Sequence, residues 1–307
     1  GAIKVLPENE SDRVRKLLGH RIMKGRFVLT KKEVEGESGG WVAKARYVIV
    51  GFGDPDILDL DRAAPVTSTK ALHLMLLAAM KFGLKVQIAD IKTAYLHSPA
   101  QEREKGSVFV VLRGVPGVPE GRIGEIVKPV YGTVNAANAF FHTLRRVLVD
   151  RCHLRQCKLE RCVYVCFDSD GQLKGMVGTV VDDLVVLGGD RMQSVVSGLQ
   201  QEFNFGKWKS DSGKYIGRNI LSSPSEIVVD QSADVKTMQK IPVARKEDSQ
   251  RECDPSEVAA LRSGTYKAAW FGRETRPDVL ADICILQQSF PKPIYPTSKL
   301  SISSLTG

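Results

Sequence analysis

The sequence predicts an α+β fold, in which one sheet carries helices on one face in the split βαβ arrangement. Strand-like and helix-like patterns follow each other through the middle of the chain in the order strand, helix, strand, strand, helix. The composition is that of a globular protein, because the 307 residues are 43% hydrophobic and 26% charged, which excludes a largely disordered chain. No apolar run approaches the roughly 20 residues that a membrane-spanning helix needs.

The first third of the chain alternates charged and apolar residues. Two such segments, 26–30 and 41–50, predict strands on either side of a glycine-rich turn at 35–40. Residues 51–66 are rich in Gly, Asp and Pro and predict a loop. A helix is expected over 70–82, and because it is apolar almost all round we expect it to be buried.

The middle of the chain supplies the other elements of the predicted sheet. Alternation over 84–90 predicts a strand that ends on Asp90, and a helix is expected from Asn135 onward because apolar side chains recur every fourth residue. Further strands are expected at 163–167, 175–181, 184–187 and 214–220, with a helix at 190–203. A charged stretch, 240–257, precedes a predicted C-terminal helical unit, and the last dozen residues are expected to be frayed.

Four of the six cysteines lie close together in the sequence, with His153 beside them: Cys152, Cys157, Cys162 and Cys166. Zinc binding is one interpretation, but no C-x-x-C pair of the kind that structural zinc sites favour is present. We expect reduced thiols instead, since six cysteines are too few for a disulfide scaffold in a chain of this length.

Adjacent acids interrupt an otherwise apolar region. Asp182 and Asp183 lie between the runs 177–181 and 184–187, which predicts the tip of a hairpin with buried strands, although Asp is also an ordinary turn residue. If the strand that ends on Asp90 is a neighbour in the same sheet, three carboxylates converge at one edge. Such a cluster repels itself unless cations neutralise it, and carboxylate oxygens suit Mg²⁺. Two ions about 3.5–4 Å apart can clamp the oxygens of a phosphoryl transfer.

Seven short segments carry a resemblance to a known family. They are KARYVIVGF (44–52), APV (64–66), DIKTAYL (90–96), YGTVNA (131–136), VDDL (181–184), YIG (215–217) and TRPD (275–278). In this order they resemble the reverse transcriptase domain of Ty1/copia-type retrotransposons.

The resemblance implies a right-hand polymerase with fingers, palm and thumb. The fingers would be mainly residues 1–83, and the palm would be 84–220 with a fingers insertion near 105–140. A helical thumb-like or connection-like region would follow at 221–307. The RNase H domain that comes next in the family is expected to be absent from this chain.

The resemblance also implies a role for each acid. Asp90 would be the first palm acid, and Asp182 and Asp183 the paired acids of the palm hairpin, together holding two Mg²⁺ ions with Mn²⁺ as a substitute. Tyr95 would lie under the incoming sugar and exclude a 2′-OH by its bulk. Its plain structural explanation is an aromatic residue of the core.

Five further residues receive roles from the resemblance. Lys44 and Arg46 would contact the triphosphate, although a solvated strand face explains them equally well. Asn135 would face the template or the nucleotide. Tyr215 and Gly217 match the primer-gripping turn, where glycine lets a backbone approach closely.

The implied activity is DNA synthesis from dNTPs on an RNA or DNA template with a primer, by a part of a retroelement polyprotein that has no membrane partner. A net charge of +9, from 44 Lys and Arg against 35 Asp and Glu, suits contact with a phosphate backbone without requiring it.

Val180 and Ala137 depart from the family pattern, which usually has an aromatic residue at the first of these positions and a proline at the second. Two other functions stay open: a degenerate element that only binds primer–template, and a nucleotide cyclase, which would need no template.

Overall fold

Alternating apolar residues form the strands of three sheets, and longer apolar stripes form the helices between them. The computed structural model describes residues 1–33, 40–238 and 252–293. The predicted turn at 35–40, the charged stretch at 240–257 and the C-terminal dozen lie wholly or mostly outside these residues. The fold is α+β, as the sequence predicts.

The α-helices of the described residues are α1 (Glu8–Leu17), α2 (Thr69–Phe82), α3 (Ala136–Arg146), α4 (Gln193–Glu202), α5 (Ser232–Lys236), α6 (Pro255–Glu274) and α7 (Leu280–Gln288). The strands are β1 (Ile3–Val5), β2 (Ile22–Glu33), β3 (Trp41–Ile49), β4 (Val86–Ile91), β5 (Phe109–Val111), β6 (Ile123–Ile126), β7 (Arg155–Gln156), β8 (Val163–Phe167), β9 (Leu173–Val180), β10 (Asp183–Leu187), β11 (Phe205–Ser210), β12 (Ser212–Tyr215), β13 (Arg218–Ser222) and β14 (Ile227–Asp230). Among the described helices, none combines the length and apolar character needed to cross a bilayer.

The chain divides into two compact units. The first comprises residues 1–75 and 88–208, and the second comprises residues 76–87 and 209–307.

A five-stranded sheet in the first unit has the order β1-β6-β5-β2-β3. Strands β2 and β3 form a long antiparallel ribbon, with Gly25 opposite Ile49 at one end of the pairing and Glu33 opposite Trp41 at the other. The two strands predicted here are confirmed. β2 extends well beyond the predicted 26–30 at both ends, whereas β3 matches the predicted 41–50 to within one residue.

A six-stranded sheet has the order β11-β4-β10-β9-β8-β7. Strands β9 and β10 form the predicted hairpin, and β4 is the direct neighbour of β10, as the convergence of the three acids requires. Helices α3 and α4 cover one face through a shared core that includes Phe140, Leu199 and the fully buried Leu184 and Val186. This face matches the prediction.

The opposite face of that sheet is also covered, which corrects the expectation of helices on one face alone. Val185 and Leu187 are fully buried there, and the thioether of Met75 on α2 packs against the backbone at Gly178. The sequence shows this indirectly, because an unbroken apolar run in β10 is typical of a strand buried on both sides.

Helix α2 itself is only half buried, which corrects the expectation of a fully buried helix. Leu72, Met75 and Leu76 are buried, whereas Leu74 and Leu77 are 67% and 65% exposed. A helix that packs on one surface buries one stripe of its side chains, whatever the polarity of the rest.

The three-stranded sheet of the second unit has the order β12-β13-β14, and here the prediction of one strand over 214–220 is wrong. The chain reverses at Ile216 and Gly217, whose φ angles are 49° and 71°, so that Tyr215 pairs with Arg218. Two successive positive φ angles are typical of a tight hairpin turn, and the apolar alternation continues through it. Arg218 forms a buried ion pair with Glu274 at the end of α6.

A buried network of two arginines and two aspartates ties together three segments of the first unit. Arg21 Nη2 lies 2.7 Å from Asp56 Oδ2, and Arg103 lies 2.8 Å from Asp54 Oδ2 and 3.1 Å from Asp56 Oδ2. Arg21 also donates hydrogen bonds to the carbonyls of Gly106 and Ser107. Hydrogen bonding to Arg21 holds the pKa of the Asp56 carboxyl below its usual range despite burial.

Replacing Asp56 with Ala should lower the free energy of unfolding by about 3–5 kcal/mol, because it leaves Arg21 buried without its carboxylate. Urea denaturation at pH 7 measures this change. Asp59→Ala is the matched control. Asp59 lies three residues after Asp56, and it forms an ion pair with Lys105 on an exposed surface. The control should unfold almost like the parent, and equal losses in both variants would contradict a stabilising role for the buried network.

Candidate active site

The three predicted acids come from two adjacent strands, β4 and β10, and from the turn that leads into β10. Asp90 is the penultimate residue of β4, Asp182 lies in the turn between β9 and β10, and Asp183 is the first residue of β10. The backbone N–H of Ile91 donates to the carbonyl of Asp182 over 2.9 Å, which fixes the end of β4 against the hairpin. The sheet therefore brings Asp90 to the paired acids, as the sequence predicts.

Burial and mutual repulsion dominate the electrostatics of this cluster. Burial raises the pKa of Asp183 to about 7, with the negative charges of Asp182 and Asp90 adding to the shift. Burial likewise raises the pKa of Asp182, and the charge of Asp90 raises it further. Arg46 and Lys44 act in the opposite direction on Asp182, so both cations of β3 lie within electrostatic reach of the acids.

Two backbone positions beside the acids are strained. Val181, which precedes the acid pair in the hairpin turn, has φ 53°, and Thr93, which follows β4, has φ 52°. Positive φ is rare for β-branched residues and costs of order 1–3 kcal/mol each. Strain of this kind persists where surrounding structure over-determines the backbone, and it clusters at functional sites.

An aromatic and cationic cluster borders the acids. Tyr95 lies in the 3₁₀ turn Ala94–His97, directly after Thr93, and its ring meets Tyr131 edge to face with centroids 5.1 Å apart. The guanidinium of Arg46 lies over the same Tyr131 ring, 5.9 Å from its centroid. Burial, followed by the charge of Asp182, raises the pKa of both tyrosines. Tyr95 and Arg46 therefore belong to the same cluster as the acids.

Asn135 has a different environment. It is buried at the N-terminus of α3, and its side-chain amide donates to Gln101 Oε1 over 2.5 Å. It also lines a cavity of about 340 Å³ together with Arg103 and Asn138, and none of the three acids belongs to that lining.

Tyr215 and Gly217 lie in the second compact unit, at the turn between β12 and β13. Tyr215 is fully buried. Gly217 has φ 71°, and a Cβ there would lie 2.7 Å from the ring of Trp270. Only glycine fits this turn, which explains the residue by close approach as well as by its backbone conformation.

Sequence reasoning assigned no role to two residues that shape the site. Gly206 on β11 lies beside Asp90, since a Cβ there would be 2.7 Å from Asp90 Oδ2. Tyr131 connects Tyr95 with Arg46. Tyr131 falls in one of the segments that carry the family resemblance, whereas nothing in the sequence singles out Gly206.

The donor chemistry of the acids fits a divalent cation, but their arrangement is not a closed binding cage. Carboxylate oxygens are hard ligands of the kind that Mg²⁺ prefers. Burial first and repulsion second raise the pKa of Asp182 and Asp183, and a bound cation would stabilise the charged forms that both effects disfavour. Across the described ranges, no group of three or more His, Cys, Asp or Glu side chains is gathered closely enough to hold an ion as it stands, the cysteines near His153 included. None of the six cysteines, all of which lie in the described part of the chain, forms a disulfide bond.

Comparison with known proteins supports the family that the sequence segments resemble. The family model described as reverse transcriptase (RNA-dependent DNA polymerase) matches residues 10–244, a range that contains all three acids. The chain is also similar to the retrovirus-related Pol polyprotein from transposon TNT 1-94 of Nicotiana tabacum, with 25% identity over 177 residues. That match covers 56% of this chain and 13% of the polyprotein, so the chain spans a small part of that relative.

The family model extends over more than half of the chain, from α1 to beyond α5, and includes both strands that carry the acids. The order of segments that resembles Ty1/copia elements lies largely inside the matched range. The chain therefore belongs to the reverse transcriptase (RNA-dependent DNA polymerase) family, as a domain of the Ty1/copia type.

Proposed function

We propose that this domain synthesises DNA from dNTPs on a primed RNA or DNA template, with Asp90, Asp182 and Asp183 binding Mg²⁺ or Mn²⁺. One observation carries the proposal. Two neighbouring strands bring three acids together, and burial and repulsion raise the pKa of the two in the hairpin. A set of neighbouring carboxylates without neutralising partners destabilises a fold, so the presence of this set favours a function that uses cations.

The reaction is attack of the primer 3′-OH on the α-phosphate of the dNTP, with pyrophosphate as the leaving group. Bound divalent cations would supply charge neutralisation at the attacking and leaving oxygens. Lys44 and Arg46 are proposed to bind the triphosphate, since both interact electrostatically with Asp182. Tyr95 is proposed to lie against the sugar, where a rigid ring would exclude a 2′-OH.

The other parts of the proposal concern the nucleic acid. The basic excess of the chain supports contact with a primer–template backbone. Tyr215 and Gly217 are proposed to contact the primer, and Asn135 the template or nucleotide. The proposed arrangement is a right-hand polymerase within a larger polyprotein. Its fingers are mainly residues 1–83, its palm is 84–220 with a fingers insertion near 105–140, and its thumb-like or connection-like region is 221–307.

Replacing Asp182 with Asn should lower primer extension on an RNA template by roughly 1,000-fold, because a metal ion contributes several kcal/mol to a phosphoryl-transfer transition state. Gel-based extension with Mg²⁺ and, separately, Mn²⁺ measures the loss. The matched control is Asp168→Asn in the turn between β8 and β9 of the same sheet. Its Oδ1 accepts hydrogen bonds from the N–H groups of Asp170 and Gln172, a role that Asn retains.

Extension by the Asp182 variant at the parent's rate would refute the catalytic assignment. Duplex binding that weakens steeply with salt, without nucleotide incorporation by the parent, would select the binding-only function instead. Turnover of a nucleotide without any template would select the cyclase.

The metal-free protein should lose stability as the pH rises toward 8. The folded-state pKa of Asp183 is raised to about 7, above the value near 4 of an ordinary carboxyl. The stabilisation that comes from holding this proton is therefore complete below about pH 4 and is lost as the pH rises through about 7. Asp183→Asn removes this contribution, so its unfolding free energy should change less than the parent's between pH 5.5 and pH 8 in EDTA.

Urea denaturation at the two pH values measures this difference, with Asp168→Asn again as the control. Added Mg²⁺ should stabilise the parent more at pH 8 than at pH 5.5, because binding requires the deprotonated carboxylate. The same pH dependence in parent and Asp183→Asn would show that Asp183 does not titrate as described.

A further inference from the structure

We propose that Tyr131 is a positioning residue that holds Tyr95 and Arg46 in place, and thereby sets both the discrimination against ribonucleotides and the affinity for the incoming dNTP. The inference rests on the proposed function, because it concerns how the substrate contacts of that site are held. It adds a residue to which the family resemblance assigned no role.

The backbone of Tyr131 is fixed to the end of β3. Its carbonyl accepts a hydrogen bond from the N–H of Ile49 over 2.8 Å. Gly132 has φ 89°, and a Cβ there would collide with the carbonyl oxygen of Ile49, while a Cβ at Gly51 would collide with the carbonyl of Gly132. Only glycine allows these two backbones to approach so closely, so the turn at Tyr131 is held against the strand that carries Lys44 and Arg46.

The ring of Tyr131 then meets side chains from two other places in the chain. Tyr95, from the 3₁₀ turn after β4, packs against it edge to face, with an angle of 70° between the ring planes. Arg46, from β3, lies over the ring. Aromatic pairs of this geometry and cation–π contacts both add to the energy of simple burial.

One ring therefore connects the residue proposed to sense the sugar with a residue proposed to bind the triphosphate. The ring of Tyr131 is only partly buried, unlike the fully buried side chains of the core, such as Tyr164, so core filling does not account for it. Tyr131 contacts Tyr95 and Arg46, the two side chains proposed to face the substrate, so we expect its effect on substrate binding to be indirect. Loss of the ring should leave the three acids in place while loosening both contacts.

The experiment compares Tyr131→Phe, which keeps the ring, with Tyr131→Met, which fills space with a flexible chain. Single-nucleotide incorporation on a primed template gives kcat and KM for dATP and for ATP. In Tyr131→Met the preference for dATP over ATP should fall, and the KM for dATP should rise, each by roughly fivefold to tenfold, the size expected for losing an aromatic pair or a cation–π contact. The kcat for dATP should change less, and Tyr131→Phe should behave like the parent.

The matched control is Phe27→Met. Phe27 on β2 forms an edge-to-face pair with Tyr47 on β3, with the same centroid separation of 5.1 Å and an angle of 67° between the ring planes. This pair lies on the β2–β3 ribbon that also carries Arg46. This variant should keep both the KM and the preference of the parent. If Tyr131→Met also keeps both, or if Tyr131→Phe is as impaired as Tyr131→Met, the positioning role of the ring is refuted.

A binding measurement separates this inference from the proposed function. The Kd values for dATP and ATP are measured on a complex with a chain-terminated primer, in which no chemistry occurs. A parent that prefers dATP and loses that preference in Tyr131→Met supports the inference even if the parent does not extend primers, which would refute the proposed activity alone. A preference unchanged in Tyr131→Met, or absent from the parent, overturns the inference.

Discussion

The structure depends on how it keeps three carboxylates together at one edge of a buried sheet. Repulsion among Asp90, Asp182 and Asp183 works against the fold. Burial, and after it the charge of neighbouring acids, raises the pKa of Asp182 and of Asp183, so nearby cations do not offset these effects at the paired acids. What holds them is the sheet beneath. The buried residues Leu184–Leu187 of β10, with helices α3 and α4 on one face and α2 on the other, support the backbone here, and Val181 and Thr93 keep strained φ angles beside the acids.

Two other buried acids of the same unit, Asp54 and Asp56, have their charge neutralised by the protein itself. Asp54 and Asp56 are each paired with arginine through direct hydrogen bonds, and the pKa of Asp56 is lowered rather than raised. Near the catalytic candidates, Lys44 and Arg46 act on Asp182 only through space. This contrast separates acids that stabilise the fold, whose charge is satisfied by the protein, from acids whose charge remains available to a ligand.

The features that depend on local pattern can be predicted from the sequence. The apolar runs around Asp182, the strand that ends on Asp90 and most helices follow from periodicity and turn residues, which act over a few positions. The turn at Ile216 is not evident from the sequence, because the alternation of apolar residues continues across it. The reversal is produced by two successive positive φ angles, which leave no hydrophobic pattern. Three other features cannot be predicted from local pattern, because they depend on which distant segments meet. They are the exposed side of α2, the cover on the second face of the sheet and the contacts of Tyr131. The approach of Gly206 to Asp90 is of the same kind.

The hairpin between β9 and β10 also limits how this part of the gene can change. Asp183 pairs with Val180, so only two residues form the turn, and side chains alternate between the two faces from Asp183 onward. A substitution at one position alters one side chain. An insertion or deletion of a single residue in the turn would move every following side chain of β10 to the other face of the sheet. The length of this segment is therefore under stronger constraint than the identity of most of its residues.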